Sequence, residues 1–261
     1  MGHERIGFLP RSIKWRTVID DLARYSRKNV EIETIGKTVL DNVRNRFADI
    51  ADDKGVNAAF SFLILLAYSA KTQKPINELT DNKIRLNTQA SDLQVSKELG
   101  KWVERSVESR EYSEIAKAAA IDAIGDWSEK LRTGQEVIFG KAETNEDVWR
   151  KASNGSGFCE LSRLFFSNFT ERYLNYFIER EAGSYLASWE DGQNLRNELR
   201  EHIQSVSKYA FETAKITESF AAGWYNKNTK ESLPTRKQVH GFLGLSFEKL
   251  REELRREKER Q

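Results

Sequence analysis

From Phe158 to Leu254 apolar residues recur at every third or fourth position through three successive segments, a spacing that suits helices and not strands. In the first segment Leu161, Phe165, Phe169, Tyr173, Tyr176 and Phe177 make a broad aromatic stripe. Leu164 and Phe166 widen it beyond one face, so this helix needs partners on two sides. Gly183 and Gly192 bracket its end, and Leu195, Leu199, Ile203, Val206, Ala210, Ala214, Phe220 and Trp224 outline the next helix. Pro234 precedes the last, where Val239, Leu243, Phe247, Leu250 and Leu254 share a face and the tail continues with alternating charge.

The amino-terminal half carries the same period. Ser12 suits an N-cap, and Trp15, Val18, Ile19, Leu22 and Tyr25 follow on one face of a helix ending near Lys28. Ile32, Ile35, Val39, Val43, Phe47 and Ile50 predict a second helix, with Gly55 placed to stop it. The run from Ala58 to Ala70 is apolar on nearly all sides. It reads as a central buried helix ended by Pro75, because a membrane span needs about 20 apolar residues. Asn77 to Ala90 reads as loop or short turns, a weak helix passes through Leu93 and Val103, and the Ala-rich stretch Tyr112 to Leu131 reads as another helix. Val137, Ile138 and Phe139 suit one short strand, and Ser153-Asn154-Gly155-Ser156-Gly157 a linker or tight loop. The expectation is an all-α bundle of seven to nine helices with little or no β structure. It divides into an N-terminal helical region, 1–152, and a C-terminal helical region, 158–261, or forms one continuous domain.

Composition narrows the function classes. With 39% hydrophobic and 11% aromatic residues the chain is too apolar to stay disordered. Cys159 is the single cysteine, which forbids an internal disulfide, and the start lacks the apolar core of a signal peptide. A cytoplasmic, reducing setting is therefore expected, with no membrane contact. The net charge of +2 is uneven: residues 1–28 carry seven Arg or Lys against three acids, and residues 229–261 nine against six. The three His and Cys159 form no short-spaced ligand pair, so no metal is expected, and no phosphate loop, dinucleotide fingerprint or nucleophile elbow occurs, so no cofactor is expected either.

Two constellations suggest chemistry or contact. Arg11, Lys14 and Arg16, with Arg24, Arg27 and Lys28 a few turns on, interleave cations with Trp15 as nucleic-acid surfaces do, although Asp20 and Asp21 interrupt them. Trp224 and Tyr225, beside Gly223, read as a docking surface for a partner.

The segment from Arg196 to His202, an Arg followed by the polar Asn197 and then a His six positions on, resembles the motif of HEPN ribonucleases, small all-helical domains of bacterial toxins and defence systems. The resemblance spans seven residues. It implies a dimer that cuts RNA without a metal, with Arg196 stabilising the phosphate, His202 as general acid or base and Asn197 orienting them. On one continuous helix a six-residue step sets Arg196 and His202 about 120° apart, so such a pair needs a second subunit or a helix start.

The leading expectation is non-enzymatic: a helical adaptor or assembly subunit of a bacterial-type multi-protein complex, binding a protein partner or a second copy of itself, with nucleic acid left open as a further partner. An antiviral-defence or DNA-processing assembly suits it. A HEPN-like ribonuclease and a helical nucleic-acid-binding protein are the two alternatives.

Overall fold

The computed structural model describes residues 13–87, 90–106, 112–133, 145–212 and 219–256. Eleven α-helices and one 3-10 turn, Asp49–Asp52, account for nearly all of them, and no strand occurs among the described residues. The all-α class stands, while the helix number exceeds seven to nine. The helices are α1 (Ile13–Tyr25), α2 (Ile32–Ala48), α3 (Lys54–Ser69), α4 (Pro75–Asp81), α5 (Asp92–Ser106), α6 (Ser113–Thr133), α7 (Asn145–Ala152), α8 (Gly155–Tyr185), α9 (Trp189–Glu212), α10 (Phe220–Asn228) and α11 (Arg236–Arg256). Of the additional ones, α4 and α7 span two turns or so, too short for an apolar stripe to repeat, while α10 is the end of what the sequence reads as one helix from Leu195 to Trp224: α9 is described to Glu212, and Ser219, outside helical geometry, caps a new helix by accepting from the Ala222 N–H. Val137, Ile138 and Phe139 lie outside the described residues.

Local chemistry sets most boundaries. Helix α1 closes in a Schellman turn: Lys28 adopts φ 57°, its N–H donates to the Tyr25 carbonyl at 2.8 Å, and the Asn29 N–H donates to that of Arg24 at 3.1 Å. Lys83, at φ 61°, ends α4 in the same way, with the buried Ile84 as the apolar residue that follows. Pro75 opens α4 at a position where its missing N–H costs nothing, instead of closing α3, which stops at Ser69. Gly55 likewise starts a helix where the sequence suggested a stop. Asp53 Oδ1 accepts from the Gly55 and Val56 N–H groups at 2.7 and 3.0 Å and caps α3. A Cβ on Gly55 would lie 2.4 Å from Ser113 Cβ, so only glycine lets α3 meet the start of α6. Between α7 and α8 the chain turns on Ser153 and Asn154, and Asn154 Oδ1 caps α8 by accepting from the Gly157 N–H at 2.9 Å.

Helix α3 is buried along almost its whole length and packs on α4, α5, α6, α7, α8 and α11. The 31-residue α8 lies between α6 and α9, which explains an aromatic stripe too wide for one neighbour. At the crossing, the Phe60 ring stands 5.2 Å from Phe165, 5.3 Å from Phe166 and 5.4 Å from Phe242, tying α3, α8 and α11 together. Each such pair adds about 0.5–1.5 kcal/mol beyond simple burial. Among the described residues no helix is long and apolar enough to cross a membrane.

Candidate functional site

Helix α9 is the element on which the chemically interesting residues converge. Ser188 Oγ caps it by accepting from the Asp191 N–H at 3.0 Å, and Leu195, Leu199, Ile203 and Val206 bury its inner side against α8, α2 and α11. Three depressions border the remaining surface.

The first, a groove of about 760 Å³ between α6, α8 and α9, holds charges that the fold has already matched. Arg196 Nε lies 2.9 Å from Glu179, Arg200 Nε 2.9 Å from Glu171, and an Arg172 nitrogen 2.6 Å from Asp122. Asp126 has no Arg at bonding distance and accepts from Asn168 Nδ2 at 2.9 Å. Burial lifts its carboxyl above the usual range. The Asn168 hydrogen bond and Arg200 oppose that rise, while the charges of Asp122 and Glu129 add to it.

A second groove of similar volume lies on the other flank of α9, against the turn between α1 and α2. Its lining includes Glu31, Glu33, Asp191, Glu198 and Glu201, with Lys28 as the cationic side chain and the His202 ring beside them. Burial pushes the Tyr25 phenol well above its ordinary value, and a hydrogen bond to Glu198 together with the charges of Glu198 and Asp191 pushes it further.

The third is a hollow of about 420 Å³ at the α8–α9 corner, with Ile178, Leu186, Gly192 and Leu195 in its wall. At its edge stands Trp189, 81% exposed, with Tyr185 40% exposed one turn before.

The residues singled out from sequence are distributed as follows. Arg196 faces the first groove and the corner hollow, His202 the second groove, and Asn197 is exposed on the outside of α9. His202 is 8% exposed, with Nδ1 3.8 Å from Glu33 Oε1 and its ring edge near Gly36. Within one chain Arg196 and His202 therefore do not share a cleft. Arg16 and Arg24 on α1, and Arg27 and Lys28 in the turn after it, are exposed, Asp20 is exposed among them, and Asp21 sits 3.7 Å from Arg24. Arg11 and the Lys14 side chain lie outside the description. Trp15 is core, edge-on to Phe177 at 6.3 Å.

Tyr225 is fully buried, its ring stacked on Phe158 at 4.2 Å, and Trp224 is half-buried, 4.5 Å from the Phe242 ring. Tyr225 thus contributes to the core and has no surface to offer a partner. Among the described residues no group of three His, Cys, Asp or Glu is placed to hold a metal. Cys159 is buried and accepts from Ser219 Oγ at 3.0 Å, and His240 Nε2 lies 2.7 Å from Asp52 Oδ1.

Trp189 is the surface residue that pattern reading passes over. The signal is local: three and four positions on stand Gly192 and Gln193, so Trp189 is off the stripe that begins at Leu195. Comparison with known protein families, with curated proteins and with solved structures gives no match for this chain.

Proposed function

We propose that this chain acts by binding, as a helical adaptor or assembly subunit of a multi-protein complex that docks a protein partner at the α8–α9 corner. Trp189 carries this reading. A buried indole of its size removes 150–250 Å² from water, so leaving it 81% exposed forgoes on the order of 4 kcal/mol. Trp is one of the residue types enriched where protein interfaces concentrate their binding energy.

The test compares tagged wild-type chain with Trp189→Ser after capture from the native host and sizing of the complex. The expected result is a defined complex that falls to the free chain's mass in Trp189→Ser, whose folded fraction is unchanged. A complex indifferent to the substitution overturns the reading. RNA cleavage or growth arrest that His202→Ala abolishes would favour the HEPN-like ribonuclease, with Arg196 and His202 meeting across two copies. RNA binding that weakens on replacing Arg16, Arg24 and Arg27 and falls steeply with salt would favour the nucleic-acid binder.

A further inference from the structure

We infer that the partner segment docking at this corner is a cationic amphipathic helix laid along the outside of α9. The inference rests on the adaptor reading and adds the partner's chemistry.

The apolar anchor comes first. Trp189 and Tyr185 stand out from the α8–α9 turn, and the hollow beside them, walled by Ile178, Leu186 and Leu195, is large enough for one or two aliphatic side chains. Apolar surface alone would not select a partner, but the charge around it does. Glu190, Asn194, Asn197 and Glu201 recur at helical spacing along the outer line of α9, and all four are exposed. Glu198 and Asp191 flank this line on the side of the second groove.

Of the bases of α9, Lys208 is exposed about two turns beyond Glu201, and the two that lie among the acids are held elsewhere. Arg196 and Arg200 turn to α8, where Glu179 and Glu171 hold them at 2.9 Å. Glu190, Glu198 and Glu201 form no ion pair among the described residues. The fold neutralises the groove on one side of α9 and leaves the outer face and opposite flank negative. A phosphate backbone or an acidic helix laid there would be repelled, while Lys or Arg near each end of a partner helix would meet Glu190 and Asp191 at one end of the line and Glu198 and Glu201 at the other, with the Asn194 and Asn197 amides between them.

The geometry also sets a length. Trp189 and Glu201 are twelve residues apart, about 18 Å of helix, so a partner helix of roughly twelve residues reaches from the anchor to the last acid. Its apolar face enters the hollow beside Trp189 and its basic face follows α9.

The test uses the full chain and two 14-residue amidated peptides, one of Lys and Leu at helical spacing and one with every Lys replaced by Glu. Acrylamide quenching of tryptophan fluorescence is the readout, because Trp15, Trp127 and Trp149 are buried and Trp189 is the residue quencher reaches best; Trp189→Phe removes its signal. The expected result is that the Lys–Leu peptide protects Trp189. Its affinity should fall at least tenfold in the Glu190→Gln, Glu198→Gln, Glu201→Gln triple variant, and also between low and moderate salt. Equal or tighter binding of the Glu–Leu peptide, no protection by the Lys–Leu peptide, or equal protection by a 20-nucleotide RNA would overturn the inference.

The two proposals fail separately. A host complex lost in Trp189→Ser without Lys–Leu binding keeps the adaptor and overturns the cationic helix. Lys–Leu binding with an indifferent host complex supports the acidic, cation-binding surface and overturns the adaptor.

Discussion

Two carboxylates show how single residues set the pH response of this protein. Glu160 is mostly shielded from water, and burial alone would raise its pKa. Hydrogen bonds from Arg163 at 2.7 Å and Lys130 at 2.6 Å more than offset this and hold it at about 2. Because the folded value lies below the unfolded one, the stabilisation is complete above the ordinary carboxylate range and is lost as pH falls through it toward about 2. Glu160→Gln should therefore cost about 1–3 kcal/mol at pH 7 and much less at pH 3, read as the difference in urea midpoints at the two values. Asp126 has the opposite sign. Its folded pKa is raised, so its charged form opposes folding as pH rises out of the carboxylate range. Asp126→Asn keeps an acceptor for Asn168 and should leave stability equal or higher at pH 7, with the advantage gone in acid; a loss at pH 7 in thermal melts would contradict this.

Among the elements, α3 and α8 are the two whose packing the rest depends on. Phe60 contacts rings from α8 and α11, so Phe60→Ala leaves a cavity that rigid neighbours on several sides cannot fill. A loss of about 3–5 kcal/mol is expected in chemical denaturation. The Asp53 cap contributes less, and Asp53→Ala should cost about 1 kcal/mol. Gly55→Ala should cost more than loss of the cap despite the better helix propensity of Ala, since the new methyl meets Ser113 backbone at 2.7 Å and α3 and α6 must separate. A Gly55→Ala melt equal to or above wild type would show that α6 has room to move there. Elements of this length were legible in sequence because their stripes repeat over several turns. Helices α4 and α7 were not, since two turns hold too few apolar positions for a period, and α10 reads as part of α9 because Phe220 and Trp224 fall in step with its stripe.

At the scale of the whole molecule, the distribution of charge around α9 separates what is used internally from what is left for a partner. Three Arg–carboxylate pairs close the groove shared with α6 and α8, whereas Trp189 and the outer acids stay in solvent. Trp189→Ser should consequently shift stability by no more than about 0.5 kcal/mol while abolishing partner assembly, measured by melting and by sizing of the complex. The positions of Arg196 and His202 on different flanks of α9 follow from the six-residue step between them. Which groove each faces was not readable, because that depends on where α8 and α2 lie.

The apolar period determined the helical class, the buried character of the Ala58–Ala70 run and the two-sided packing of α8, since a 3.6-residue repeat fixes which side chains must leave water whatever the arrangement of neighbours. Tertiary structure decided the fate of individual side chains. Tyr225 was drawn into the Phe158 stack, Gly55 starts a helix because α6 passes beside it, and Trp189 was left outside. Burial and pairing of this kind depend on residues distant in sequence, whose approach no local pattern encodes.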